Sequence, residues 1–155
     1  MKTPTPEIRK ALYRHLTCAL PLACGITESD IAWPNVPFRP ASNRPYVSPF
    51  CLFAETEAAA LSKSGFERLS GVFQVSVYGV LSTGESALEE IARELVELYR
   101  GGTALDVPGW SPLRILKAYR KSLQIETGGD QLSRETPRPL LVVSANWIHY
   151  VTKGE

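Results

Sequence analysis

Residues 71–80 read GVFQVSVYGV, residues 81–102 read LSTGESALEEIARELVELYRGG, and the change of period between them sets the fold class. In the first stretch Phe73, Val75 and Val77 alternate with Gln74 and Ser76, the period-two pattern of a half-buried strand. In the second, Leu88, Ile91, Ala92, Leu95, Leu98 and Tyr99 recur every three or four residues, as the buried stripe of an amphipathic helix does. Ser82 and Glu85 have the spacing of a capping box, which predicts the helix start there. Glu85, Glu89 and Glu90 suit the positive end of the helix dipole, and Gly101-Gly102 supplies a left-handed stop.

Working outward, the strand extends back through FERLSGVFQVSVYGV (66–80), and YVSPFCLF (46–53) is a second strand. Pro49 cannot donate to a sheet ladder, so that strand belongs at an edge or carries a bulge. Between them AETEAAALSKSG (54–65) is small and charged, the mobile tip of a long hairpin. Residues 3–20 form a helix capped by Thr3 or Thr5, with Ile8, Ala11, Leu12, Leu16, Ala19 and Leu20 in one stripe and Pro21 beyond its end. Five prolines in 21–45 forbid a long helix or central strand. There Ile31, Trp33, Val36 and Phe38 predict an ordered connection pinned to the core.

After the second helix come a short TALDV (103–107), a turn at PGWSP (108–112) and a strand from Leu113. That strand places Leu113, Ile115 and Tyr119 on one side, with Arg114 and Leu116 on the other. KSLQIE (121–126) extends it or folds back, 127–139 is a polar loop, and LLVVSANWIHYV (140–151) is the last strand. The expected class is α+β: a mostly antiparallel sheet, two amphipathic helices on one face and a long β-hairpin arm.

The chain has 155 residues, the size of a single domain, and the 17 basic and 16 acidic residues leave a net charge of +1. That balance does not support generic nucleic-acid or membrane binding, and it opposes self-association only weakly. No export signal or 18-residue apolar run is present, which predicts a cytoplasmic protein with Cys18, Cys24 and Cys51 reduced. No nucleophile elbow, phosphate loop, dinucleotide fingerprint or zinc-protease motif occurs. His149 in the last strand is a remote candidate base, and the helix glutamates read as a solvated face. The reading is therefore non-enzymatic, with no catalytic, cofactor or metal site. Arg114, Lys117, Arg120 and Lys121 form a candidate basic surface for phosphate or an acidic partner.

TPEIRKAL, WPNVPFRP, GFERLSGVFQVSVYGV and GESALEEIARELVELY together resemble the tail-terminator family of long-tailed phages, the minor tail protein U type of lambda-like phages and prophages. The resemblance spans about residues 4–151, most specifically 35–38 and 67–78. It implies a single terminator domain over 1–155 that forms a hexameric ring on the finished tail tube, halts tube polymerisation and offers a surface to head-completion proteins. It implies further that DNA passes through the ring without sequence-specific binding, and that the protein assembles in the host cytoplasm and ends in the virion tail. Loop 127–139 matches no family pattern. The hairpin end supplies the expected oligomer or tube interface: Glu55, Glu57, Leu61, Lys63, Phe66 and Arg68. Another neck protein remains an alternative, as does a small binding module using the aromatic segment 33–38.

Overall fold

The computed structural model describes residues 4–54, 57–58, 66–80, 84–121, 124–126 and 138–152. Helix α1 (Thr5–Cys18) leads, followed by two 3-10 turns at Ala23–Gly25 and Glu28–Asp30. Then come β1 (Tyr46–Phe53), β2 (Glu57–Ala58), β3 (Phe66–Tyr78), helix α2 (Ser86–Leu98), β4 (Ala104–Leu105), β5 (Leu113–Arg120), β6 (Gln124–Glu126) and β7 (Arg138–Thr152). The sheet order is β1-β3-β7-β5-β4, with β2 on β3 and β6 on β7, and every pairing is antiparallel. The class is α+β.

The last strand in the chain is the central one in space. Leu140, Leu141, Val143, Ser144, Ala145, Trp147, Ile148 and His149 are all buried, so both faces of β7 are largely covered. Its partner β3 pairs with it from Phe66↔Thr152 to Tyr78↔Leu140. The long hairpin is present, and its described part lies within the sheet, flanked by β7 throughout.

One sheet face forms the core. Phe73, Val75 and Val77 lie opposite Ala145, Val143 and Leu141, and all six are buried. Both helices pack on this face: Ile8, Leu12 and Leu16 from α1, and Leu88, Ile91, Ala92 and Leu95 from α2, join the same apolar cluster. The Tyr99 hydroxyl donates to the Leu12 carbonyl at 2.7 Å and His15 Nε2–H donates to the Leu98 carbonyl at 2.8 Å, tying the helices together. Leu98 belongs to the last turn, whose carbonyls lack helical partners, so His15 serves as a cap delivered from another element.

Several boundaries depart from expectation. Helix α2 begins at Ser86 because Gly84 has φ +84°, a left-handed conformation that a right-handed helix cannot include; Glu85 takes the cap position without a side-chain cap, and Ser82 lies outside the described residues. Helix α1 is preceded by Pro4, whose carbonyl accepts from the Ile8 N–H at 2.8 Å, while Thr5 is already helical and Thr3 lies outside the described residues. Tyr119 sits on the face opposite Leu113 and Ile115, because a bulge at Leu116 shifts the register between Ile115 and Lys117 and inverts the alternation. Beyond Arg120 the chain extends along the same side of β7, where Gln124–Glu126 pair with Leu140–Arg138.

The segment 21–45 is ordered and pinned as read. Trp33-Pro34-Asn35-Val36 makes a turn with the Val36 N–H on the Trp33 carbonyl at 3.2 Å and Asn35 at φ +58°, the left-handed value that the third turn position requires. Trp33 meets the Tyr13 ring edge-on with centroids 5.2 Å apart, and Phe38 lies 5.2 Å from the Tyr46 ring. Val36 departs from the reading: it stands at the turn tip, 55% exposed.

Candidate functional site

Strand β1 is an edge, and its outward groups are largely used within the chain. The Ala54 N–H donates to the Ser70 carbonyl, whereas the Val47 carbonyl accepts outward from the Ala32 N–H at 2.8 Å. Odd-numbered residues therefore turn their backbone groups away from β3. Pro49 falls at such a position, where its missing N–H costs no ladder bond. The Cys51 backbone lies beside the Tyr13 hydroxyl. What remains for partners is mainly the faces of the molecule.

The sheet face away from the helices is built from residues opposite one another in register. Phe50, Gln74, Ser144 and Tyr119 make one row across four strands, and Leu52, Val72, Asn146 and Lys117 make the next. Arg114 continues beside Ile148 and Ser70, and Tyr150 lies beside Arg68. Phe50 is 50% exposed, Leu52 43%, Tyr150 45% and Tyr119 37%, large apolar groups left exposed around a middle where Ser144 and Ile148 of β7 are buried. Lys117 Nζ sits 5.2 Å from the centre of the Tyr119 ring. Among the described side chains in these rows none is acidic. One end is closed, where Tyr46 stacks on Tyr78 at 4.7 Å under the segment 33–44.

Buried Arg138 holds that closed end. Its guanidinium donates to the carbonyls of Arg44 at 2.8 Å, Ala41 at 2.6 Å and Gly79 at 3.4 Å, and lies 5.1 Å from the Tyr46 ring centre. Asp30 locks the same segment from the other side, with Arg44 Nη2 donating to its carboxylate at 2.8 Å and to the Gly25 carbonyl at 2.9 Å. The hydrogen bond from Arg44 holds the Asp30 pKa below the usual carboxylate range.

The helix side is mixed in charge, with Arg9, Lys10 and Arg14 against Glu7 on α1, and its acidic part is α2. Helix α2 carries Glu89, Glu90, Glu94 and Glu97 against Arg93 alone. Beside it lies a groove of about 540 Å³ lined by Glu89, Glu90, Arg93, Val96, Glu97 and Arg120. Glu94 accepts from the Ala23 N–H at 2.6 Å, and Glu89 pairs with Arg120. The Cys24 thiol pKa is raised by burial and by the charges of Glu90 and Glu94.

The basic residues singled out in the sequence are thus divided. Arg114 and Lys117 share the open face, Lys121 follows exposed at the end of β5, and Arg120 turns to the helix side. Of the hairpin residues, Glu57 pairs with Arg68 and Phe66 with Thr152 in the backbone register; Glu55, Leu61 and Lys63 lie outside the described residues, as does 127–137. His149 is fully buried, its Nε2–H donating to the Ser111 carbonyl at 2.8 Å, and burial pushes its pKa down. Cys18 and Cys24 are exposed; Cys51 is buried, with its thiol pushed up to about 11. The aromatic segment lines a groove of about 510 Å³ with Tyr46, Ser48, Phe50 and Tyr78. No signal in the sequence marked Arg138 or Asp30, because each acts through backbone that only the folded connection brings to it.

No helix among the described residues is long and apolar enough to cross a membrane. No curated protein matches this sequence. A solved chain 20% identical to it has a TM-score of 0.63 over 94% of this chain and 95% of that one, which shows that the fold is shared. The family described as "Phage tail terminator protein" matches residues 7–128, most of the helix-and-sheet unit with β1, β3, α2 and β5. By that match the chain belongs to the phage tail terminator family, a structural, non-enzymatic family of the virion tail.

Proposed function

We propose that this protein caps the phage tail tube as a ring of six copies, ends tube polymerisation and provides the surface to which the head is joined. The observation that carries the reading is the family match over residues 7–128. The near-neutral chain supports it, since copies approach with little long-range repulsion. In this reading the whole chain, 1–155, works as one terminator domain assembled in the bacterial cytoplasm, and DNA passes through the ring without base-specific contact. The hairpin end, from Glu55 to Arg68, reaches the tube or the neighbouring copy.

Molar mass by light scattering, from micromolar to near-millimolar protein, tests the ring, with the peak imaged by electron microscopy. Six copies in a closed ring is the expected result. A monomer at every concentration, with no accumulation on tube ends, contradicts it. Deleting residues 57–64 tests the arm: the variant is expected to stay folded by circular dichroism and to lose ring formation or tube capping. A deletion variant that still caps tubes removes the arm from the mechanism.

A further inference from the structure

The two layers of this molecule end in surfaces that complement each other and cannot meet within one chain. On the open sheet face, exposed Phe50, Leu52, Tyr119 and Tyr150 lie among Arg114 and Lys117. On the far side, Glu89, Glu90 and Glu97 line a groove with Val96 and two cations, Arg93 and Arg120. Glu97 and Arg93 are 4.0 Å apart and about 70% exposed, 69% and 70%, so water screens that pair and leaves the carboxylate available. Within the chain, Glu89 already holds Arg120. An apolar centre with charged surroundings is the usual composition of a protein contact.

We infer that the open sheet face docks on the acidic α2 groove of a second copy, head to tail. The inference rests on the ring reading and deepens it by naming the surfaces that meet. Because the two patches differ and lie on opposite sides, the contact is heterologous; each copy keeps one free patch of each kind, and only closure of a ring satisfies all of them. A two-fold dimer would set basic face against basic face or acidic groove against acidic groove, and like charges in register oppose both.

The test uses two full-length variants, one carrying Glu90→Lys and Glu97→Lys and the other carrying Arg114→Glu and Lys117→Glu. Each places like charges across its own contact and is expected to raise the concentration needed for assembly about a hundredfold or more. Mixed in equal amounts, they restore opposite charges at every contact by alternating around the ring, and the wild-type mass is expected to return. Circular dichroism and a thermal melt of each variant establish that both are folded. Either variant assembling alone like wild type overturns the inference, as do two folded variants that remain monomeric when mixed. Failure of the ring reading is separate, because it appears in the wild-type protein, as a monomer in solution and an absence from tube ends.

Discussion

Gly71 shows what a single position contributes. Its register partner is Trp147, and an added Cβ would meet the Leu52 carbonyl and stand 2.6 Å from the indole ring. Neither backbone nor buried indole can yield at low cost, so Gly71→Ala is expected to destabilise by about 3 kcal/mol or more, read by urea unfolding. Asp30 and His149 give the molecule two distinct pH windows. The Asp30 pKa is lowered in the fold, so its contribution is present above the unfolded value of about 3.9 and is lost as pH falls through the folded value. Asp30→Asn is expected to cost about 1–3 kcal/mol at neutral pH. The gap to wild type should close in strong acid; an unchanged gap there would contradict the role of the Arg44 pair. The His149 pKa is also lowered, so its buried neutral ring favours folding above about 6.5, and that contribution is lost as pH falls below it. His149→Gln is expected to flatten the wild-type loss of stability between roughly pH 7 and 5, checked by unfolding midpoints across that range.

Among the elements, the contact between α1 and α2 rests on stripes plus two polar ties. The stripes were legible, since Ile8, Leu12 and Leu16 and then Leu88, Ile91 and Leu95 declare their period in the sequence. The ties were not, because Tyr99 reaches Leu12 and His15 reaches Leu98 across more than eighty residues of chain. Tyr99→Phe leaves its ring in the core and the Leu12 carbonyl in its helix, so the expected cost is about 1 kcal/mol, measured by chemical unfolding. The strands β1, β3 and β7 were legible from alternation and from the run Leu140–Val143. The bulge at Leu116 was hidden, because one extra residue inverts every later side chain and leaves the composition of the strand unchanged. That inversion takes Arg120 off the face of Arg114 and brings Lys117 and Tyr119 onto it. Charge clustering in sequence therefore grouped Arg120 with residues of the other face and missed Tyr119 beside them.

For the whole molecule, a two-layer unit presents unlike faces, basic and aromatic on the open sheet, acidic along α2. Such a unit is suited to head-to-tail association around an axis, and the net charge of +1 conceals this polarity. If the faces act as inferred, wild-type assembly weakens as salt rises, because exposed charges are screened beyond about 8–10 Å at physiological ionic strength. Capping is tested most directly by the length of tail tubes polymerised from the cognate phage tail tube protein, with and without this protein, each end imaged by electron microscopy. Growth is expected to stop when this protein is added, with a six-fold ring on the terminated end. Tubes that lengthen unchanged, with ends bare of it, would rule out capping.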